Sequence, residues 1–91
     1  MAFQASVLES LGMKPVSISE LKAALSANIK ARRKELGISQ EKLALASGVD
    51  RSYMSEIERQ IANPSIEALL RISNALQIPA SKLLEMEFFS A

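Results

Sequence analysis

The sequence predicts an all-α protein built around five helices, and three observations support this class. Hydrophobic residues make up 48% of the 91 residues, which is enough for one core, whereas aromatic residues make up only 4%. Helix-forming residues such as Ala, Leu, Glu and Lys dominate the composition. Apolar residues recur at helical spacing, and no segment of useful length alternates between apolar and polar residues as a strand would. A chain of this length forms one small domain.

The composition also argues against several classes of function. The chain has no cysteine and no histidine, so it lacks disulfides and the commonest general base and metal ligand. No apolar run approaches the roughly 20 residues that span a membrane, and the N-terminus lacks the pattern of a secretory signal. We therefore expect a cytoplasmic, non-enzymatic protein that uses no metal, cofactor or small-molecule ligand.

Charge is distributed unevenly along the chain. Residues 21–64 contain eight basic and five acidic side chains, a balance of +3, whereas residues 1–20 and 65–91 each carry −1. A basic middle between mildly acidic ends indicates an anionic partner that binds locally. A basic helix face is more often simply solvated, so this feature alone does not identify the partner.

The predicted organisation has three parts: a leader at residues 1–18, a domain at residues 19–86 and a short apolar tail at residues 87–91. The leader can be a packing helix, a dimer arm or disordered chain, and the sequence leaves these alternatives open. Four apolar residues of the leader have helical spacing: Phe3, Val7, Leu8 and Leu11.

Each predicted helix of the domain has a recognisable start or stop. Capping residues or proline precede the helices, and glycine follows the first two. In chain order, the predicted helices are about 19–36 after a Ser17/Glu20 capping box and before Gly37, about 39–47 from Ser39 to Gly48, about 50–59 from the N-cap Asp50, one after Pro64-Ser65, and about 80–86 after Pro79.

The connection between the second and third predicted helices carries the most information. Two short helices joined by three or four residues must cross steeply. The crossing requires a small residue at the contact, a turn residue that tolerates positive φ, and apolar residues that point back to the core. Six positions meet these requirements: Leu43, Ala44, Gly48, Val49, Met54 and Ile57. The spacing therefore predicts a helix-turn-helix whose second helix is exposed.

That second helix, about Asp50 to Arg59, has two distinct faces. One face is apolar and should contact the core: Tyr53, Met54, Ile57 and the following Ile61. The other face mixes hydrogen-bond donors and acceptors: Arg51, Ser52, Ser55, Glu56 and Arg59. A purely solvated face would usually be richer in Lys and Glu, so this composition suggests recognition of a partner.

The chain resembles the XRE-type, lambda-repressor-like helix-turn-helix DNA-binding proteins from about residue 21 to residue 84. The segments "LGISQ", "LALASGV" and "IERQIANPS" carry the resemblance most specifically, and "DRSYMSEIER" with "ALQIPAS" resembles the restriction–modification controller proteins. The resemblance implies a sequence-specific transcriptional regulator that binds double-stranded DNA through the major groove. At Gln60 the chain departs from the family, which commonly has Gly or Asn there.

The resemblance also implies roles for individual residues. Base contacts are implied for Arg51, Ser52, Ser55 and Glu56, with Arg51 suited to bidentate contact with guanine. Phosphate contacts are implied for Gln40, Arg32, Tyr53, Arg59 and Asn63, although a solvated charge fits Arg32 equally well. A structural ion pair between the first and third predicted helices is implied for Arg33 and Glu58.

One helix-turn-helix unit contacts few base pairs, so we expect a homodimer on a pseudo-palindromic operator, with its two recognition helices about 34 Å apart. The residues assigned to the dimer interface are Leu83, Leu84, Phe88 and Phe89, although these could instead close the core. An alternative is an antitoxin, an autorepressor that also binds a toxin protein. A second alternative is a protein-binding module that has kept the fold without binding DNA.

Overall fold

The computed structural model describes residues 2–86, with side chains from residue 6 onward, and this part contains six α-helices and no strand. The predicted all-α class is confirmed. The helices are α1 (Ala2–Ser10), α2 (Ile18–Leu36), α3 (Gln40–Ser47), α4 (Arg51–Glu58), α5 (Ile66–Leu76) and α6 (Ala80–Leu83). The five predicted helices correspond to α2 to α6, α1 lies in the leader, and α3 with α4 form the helix-turn-helix.

Three helices begin at serine N-caps, as predicted. The Oγ atoms of Ser17, Ser39 and Ser65 each accept a hydrogen bond, at 3.0–3.1 Å, from the backbone N–H three residues later. Asp50 occupies the N-cap of α4 in an extended conformation, but its side chain makes no capping hydrogen bond. The predicted side-chain cap at Asp50 is therefore wrong, and its carboxylate can favour α4 only through the helix dipole.

Helices α2 to α5 end in the same Schellman motif, in which a residue with positive φ is followed by an apolar residue. The N–H of that apolar residue donates, at 2.9–3.1 Å, to the carbonyl five positions earlier. The positive-φ residues are Gly37 (69°), Gly48 (70°), Gln60 (66°) and Gln77 (58°). Gln60 thus adopts the left-handed conformation despite its Cβ.

The apolar residues of these motifs do not all contact the core. Ile38, Val49 and Ile78 pack against it, whereas Ile61 is 58% exposed. The prediction that Ile61 continues the inner face of the recognition helix is wrong. Ile61 lies off the inner face of the helix because α4 ends at Glu58 and the chain reverses direction at Gln60.

A single core lies between α2, α3, α4, α5 and α6. Four of the six residues predicted from the helix-turn-helix spacing are at most 2% exposed: Leu43, Ala44, Met54 and Ile57. Leu25, Ile29, Ile72 and Leu76 complete most of the core from α2 and α5. This packing fixes the inner face of α4 and leaves its opposite face outward.

Helix α6 is shorter than predicted, because it ends at Leu83 and not near Met86. The Nδ2 atom of Asn28 donates to the carbonyl oxygens of Leu83 and Glu85, so a side chain of α2 replaces helical hydrogen bonds there. Leu83 itself is completely buried in the core of this chain, so its assignment to a dimer interface is wrong. Leu84 is 37% exposed, and Phe88 and Phe89 lie outside the described residues.

The end of α1 and the linker that follows it lie outside this packing. Every residue from Glu9 to Glu20 is exposed, so neither the end of α1 nor the following linker is covered by the bundle. Among residues 2–86, no helix combines the length and the apolar character that crossing a membrane requires.

The two left-handed glutamines give a test of backbone strain. We expect Gln60→Gly and Gln77→Gly each to raise the free energy of unfolding by about 0.5–1 kcal/mol, because left-handed backbone costs a residue with a Cβ atom more than it costs glycine. Urea denaturation followed by circular dichroism measures this change. The matched control, Lys30→Gly on the exposed face of α2, should instead lower stability by about 0.5–1 kcal/mol. Destabilisation by either glutamine substitution would contradict the interpretation.

Candidate nucleic-acid interface

The outward face of α4 is the most prominent polar surface of the helix-turn-helix. Arg51, Ser52 and Glu56 are exposed and Ser55 is half-buried, whereas Met54 on the opposite side is completely buried. The face thus presents one guanidinium, two hydroxyls and one carboxylate. Contact with the edges of base pairs requires both hydrogen-bond donors and hydrogen-bond acceptors.

A bidentate ion pair fixes α4 to α2. Arg33 Nε donates to Glu58 Oε2 and Arg33 Nη2 to Glu58 Oε1, both at 2.8 Å. The side chain of Glu58 is only 2% exposed and that of Arg33 is 20% exposed. A buried carboxylate is tolerated because its charge and its lone pairs are both satisfied here.

Further hydrogen bonds extend this ion pair into a network. The third guanidinium nitrogen, Arg33 Nη1, donates to the carbonyl of Ile38 at 3.1 Å, just before α3. The hydroxyl of Ser26 on α2 donates to the backbone carbonyl of Glu58. Arg33 and Glu58 therefore fix the position of the end of α4 and, at the same time, that of the backbone just before α3.

Gln40, at the first position of α3, is oriented by the same carboxylate. Its Nε2 donates to Glu58 Oε1 at 3.2 Å, and the side chain is half-buried. An amide nitrogen carries two hydrogens, so the second N–H remains available for an external acceptor. The backbone N–H groups at the start of α3 add a partial positive charge at the same place.

Tyr53 connects α4 to the start of α5. Its half-buried ring packs against the core, and its hydroxyl oxygen accepts a hydrogen bond from the backbone N–H of Ser65 at 3.3 Å. The hydroxyl hydrogen is still free to donate elsewhere. Arg59 at the end of α4 and Asn63 in the following loop are both exposed, so this side of α4 carries several donors.

The structure also shows an ion pair that the sequence analysis missed. Arg51 Nη1 lies 3.5 Å from Glu41 Oε2, and both side chains are about 70% exposed. The two residues are ten positions apart, and only the steep crossing of α3 and α4 brings the starts of these helices together. Glu41 therefore holds Arg51, the residue expected to contact a base, in a weak ion pair that is exposed to solvent.

Arg32 contacts the end of another helix. Its Nε donates to the carbonyl of Leu76 at 2.9 Å, at the C-terminus of α5, and its Nη1 lies 3.5 Å from Glu35. A cation there stabilises the helix end. Arg32 therefore has a structural role that the sequence did not predict, and its phosphate contact stays a prediction.

Arg71 is a second residue that the sequence analysis missed. Its Nη1 donates to the carbonyl of Gly48 in the turn of the helix-turn-helix at 3.4 Å, and its Nη2 lies 3.1 Å from Glu67. The spacing of Glu67 and Arg71 on α5 is a signal for their pairing, but no sequence signal indicates the contact with Gly48.

No potential metal site, taken as three or more clustered His, Cys, Asp or Glu side chains, is found in the part of the chain that the structure describes. The polar side chains buried there all have hydrogen-bond partners.

Comparison with known proteins identifies the class. The chain matches the helix-turn-helix family over residues 29–83, and it belongs to the XRE-type branch of that family, whose members are DNA-binding transcriptional regulators and not enzymes.

Three relatives illustrate the similarity. The chain is 45% identical to the transcriptional regulator SinR of Bacillus subtilis over 58 residues, which cover 63% of this chain and 52% of SinR, so it spans about half the length of that relative. It is 32% identical to the control protein C.SmaI of Serratia marcescens, covering 76% of this chain and 82% of that protein. The structure of the restriction–modification controller protein C.AhdI of Aeromonas hydrophila superimposes with a TM-score of 0.66 and 35% identity, covering 68% of this chain and 94% of that one.

The buried ion pair yields a stability prediction. We expect Arg33→Met alone to lower the free energy of unfolding by about 3–5 kcal/mol, because it leaves the Glu58 carboxylate buried without a cation. The matched control is the double variant Arg33→Met/Glu58→Leu, which removes both charges and should recover most of this loss. Chemical denaturation followed by circular dichroism measures both values. A double variant less stable than the single variant would show that the cost does not come from an unpaired charge.

Proposed function

We propose that the protein is a homodimeric, cytoplasmic transcriptional regulator that binds a pseudo-palindromic operator in double-stranded DNA. The observation that carries this proposal is the polar, exposed face of α4, held outward by the core beneath it and by the Arg33–Glu58 pair. A helix of about 10–12 Å diameter fits the major groove of B-form DNA. We assign base contacts to Arg51, Ser52, Ser55 and Glu56.

Phosphate contacts would flank this helix on both sides. On the α3 side we assign Gln40, whose second amide N–H and helix N-terminus suit a phosphate oxygen. On the α5 side we assign Tyr53, Arg59 and Asn63, which surround the end of α4 with further donors. These contacts would set the depth and register of α4 without selecting a sequence.

Among regulators of the family, we infer a controller-like protein. The similarity to C.SmaI and C.AhdI extends over 82% and 94% of those chains, whereas the similarity to SinR extends over 52%.

The proposal is tested by selecting bound sequences from a random duplex library and measuring affinity by fluorescence anisotropy. We expect two inverted half-sites whose centres lie about one DNA turn, roughly 34 Å, apart. Affinity for the selected duplex should fall steeply with salt concentration, because phosphate contacts release counterions. Recovery of sequences without any shared motif would contradict the proposal.

Arg51 gives a specific prediction within this scheme. Arg51→Ala should weaken binding to the selected operator by about 1–3 kcal/mol and relax the preference at one base pair, with little effect on random duplex. The control, Arg59→Ala, should weaken operator and random duplex alike and reduce the salt dependence by about one phosphate contact. Equal losses on both duplexes for Arg51→Ala would refute its base-contacting role.

Glu41 gives a second prediction. Glu41→Gln should strengthen binding to the selected operator by up to about fivefold, because it frees Arg51 from an exposed ion pair worth about 0.2–1 kcal/mol and removes a negative charge next to the phosphates. Glu35→Gln is the control, since Glu35 is similarly exposed and lies at the same 3.5 Å from an arginine, Arg32. The competition between Glu41 and DNA is ruled out if the two variants bind the selected operator equally.

A further inference from the structure

Helix α1 has an apolar face that the bundle does not cover. Val7 is 45% exposed and Leu11 is 68% exposed, and Leu8 lies beside them on the same side of the helix. The N–H of Leu11 donates to the carbonyl of Val7 at 3.2 Å, so the helical path continues to Leu11. At 100° per residue, positions 7, 8 and 11 fall within one third of the helix circumference.

A second uncovered apolar surface lies between the start of α2, α5 and the chain after α6. We call it the apolar groove, and its lining includes Val16, Ile18, Leu21, Leu69, Leu84 and Met86. Ile18 is 58% exposed and Leu84 is 37% exposed, so the groove is open to solvent. Its innermost part encloses about 100 Å³, which is room for about one apolar side chain.

We propose that α1 of one copy docks into the apolar groove of a second copy, and that two copies exchange their α1 helices symmetrically. This inference rests on the homodimer of the proposed function and names an interface for it. Exchange of an identical element covers both apolar surfaces of each copy at once, and a two-fold arrangement closes the assembly.

α1 is a short helix whose one charge is opposite in sign to a charge of the groove. Its nine residues extend about 14 Å. Glu9 is the sole charged residue in the α1 sequence, and Lys22 is the sole charged side chain lining the innermost part of the groove. Docking would bring these opposite charges to the rim of an otherwise apolar contact.

The linker favours a second copy over the helix's own chain. Residues 9–20 are all exposed, so neither the end of α1 nor the linker is covered by the bundle. Pro15 restricts the backbone of the linker just before the groove begins at Val16. Only four residues, 12–15, separate Leu11 from Val16 and span at most about 18 Å, which leaves α1 little chain with which to fold back onto its own groove.

Disulfide trapping tests the exchange directly, because the chain contains no cysteine of its own. Equal amounts of Leu11→Cys and Leu84→Cys are mixed and oxidised, and peptide mass spectrometry quantifies the disulfide that joins position 11 of one chain to position 84 of another. We expect at least about fivefold more of it than of the disulfide formed in a matched mixture of Leu45→Cys with Leu84→Cys. Leu45 is 83% exposed on α3 and serves as the control for random collision.

Other outcomes overturn the exchange. A yield no greater than that of the Leu45 control would mean that something else covers the groove, such as the chain's own Phe88 and Phe89. A double variant, Leu11→Cys/Leu84→Cys, that forms its disulfide mainly within one chain at high dilution would show docking in the same copy. If sedimentation still finds a dimer in either case, the proposed homodimer stands and the exchange alone fails.

A second measurement uses the full chain without cross-linking. Val7→Lys/Leu11→Lys should raise the dimer dissociation constant about tenfold or more, because it places two cations on the docking face. Leu45→Lys should leave the constant unchanged. Circular dichroism should show unchanged thermal unfolding for both, since positions 7, 11 and 45 lie outside the core. An equal dimer dissociation constant for the unsubstituted protein, Val7→Lys/Leu11→Lys and Leu45→Lys would refute the docking of α1.

Discussion

The buried contact between Arg33 and Glu58 is the constraint on which the rest of the binding surface depends. It joins α2 to the last turn of α4 by two hydrogen bonds of 2.8 Å, and Glu58 orients Gln40 at the start of α3. A buried ion pair adds little net stability compared with apolar residues, but it permits very few geometries. Its role here is therefore best understood as fixing the direction of α4, while Met54 and Ile57 supply the apolar burial.

Reversal of the chain after each helix is the second constraint, and α2 to α5 all meet it with the same C-terminal motif. Four helices end with a left-handed residue followed by Ile or Val, which turns the chain, and in three of them the apolar side chain packs against the core. Glycine occupies two of these positions, including Gly48 in the turn between α3 and α4. Glutamine occupies the other two, so the geometry of the turn is imposed by packing and hydrogen bonding even where the residue disfavours it.

The sequence alone predicts most of the fold because its signals are local. Serine caps and glycine stops involve residues within one or two helix turns, the spacing from Leu43 to Ile57 covers two consecutive short helices, and the structure agrees with these signals. Contacts between distant segments were not predictable in this way. Arg51 meets Glu41, and Arg32 turns to the end of α5, because of how the helices cross. Asn28 likewise shortens α6 from a position more than fifty residues away.

Chemical substitution in the DNA tests most directly whether the exposed face of α4 contacts base edges in the major groove. In the selected operator, 7-deazaguanine removes the major-groove N7 acceptor from a guanine, whereas inosine removes only its minor-groove amino group. We expect 7-deazaguanine at one position per half-site to weaken binding about tenfold and inosine there to have little effect. Loss of affinity with inosine and not with 7-deazaguanine would contradict this expectation.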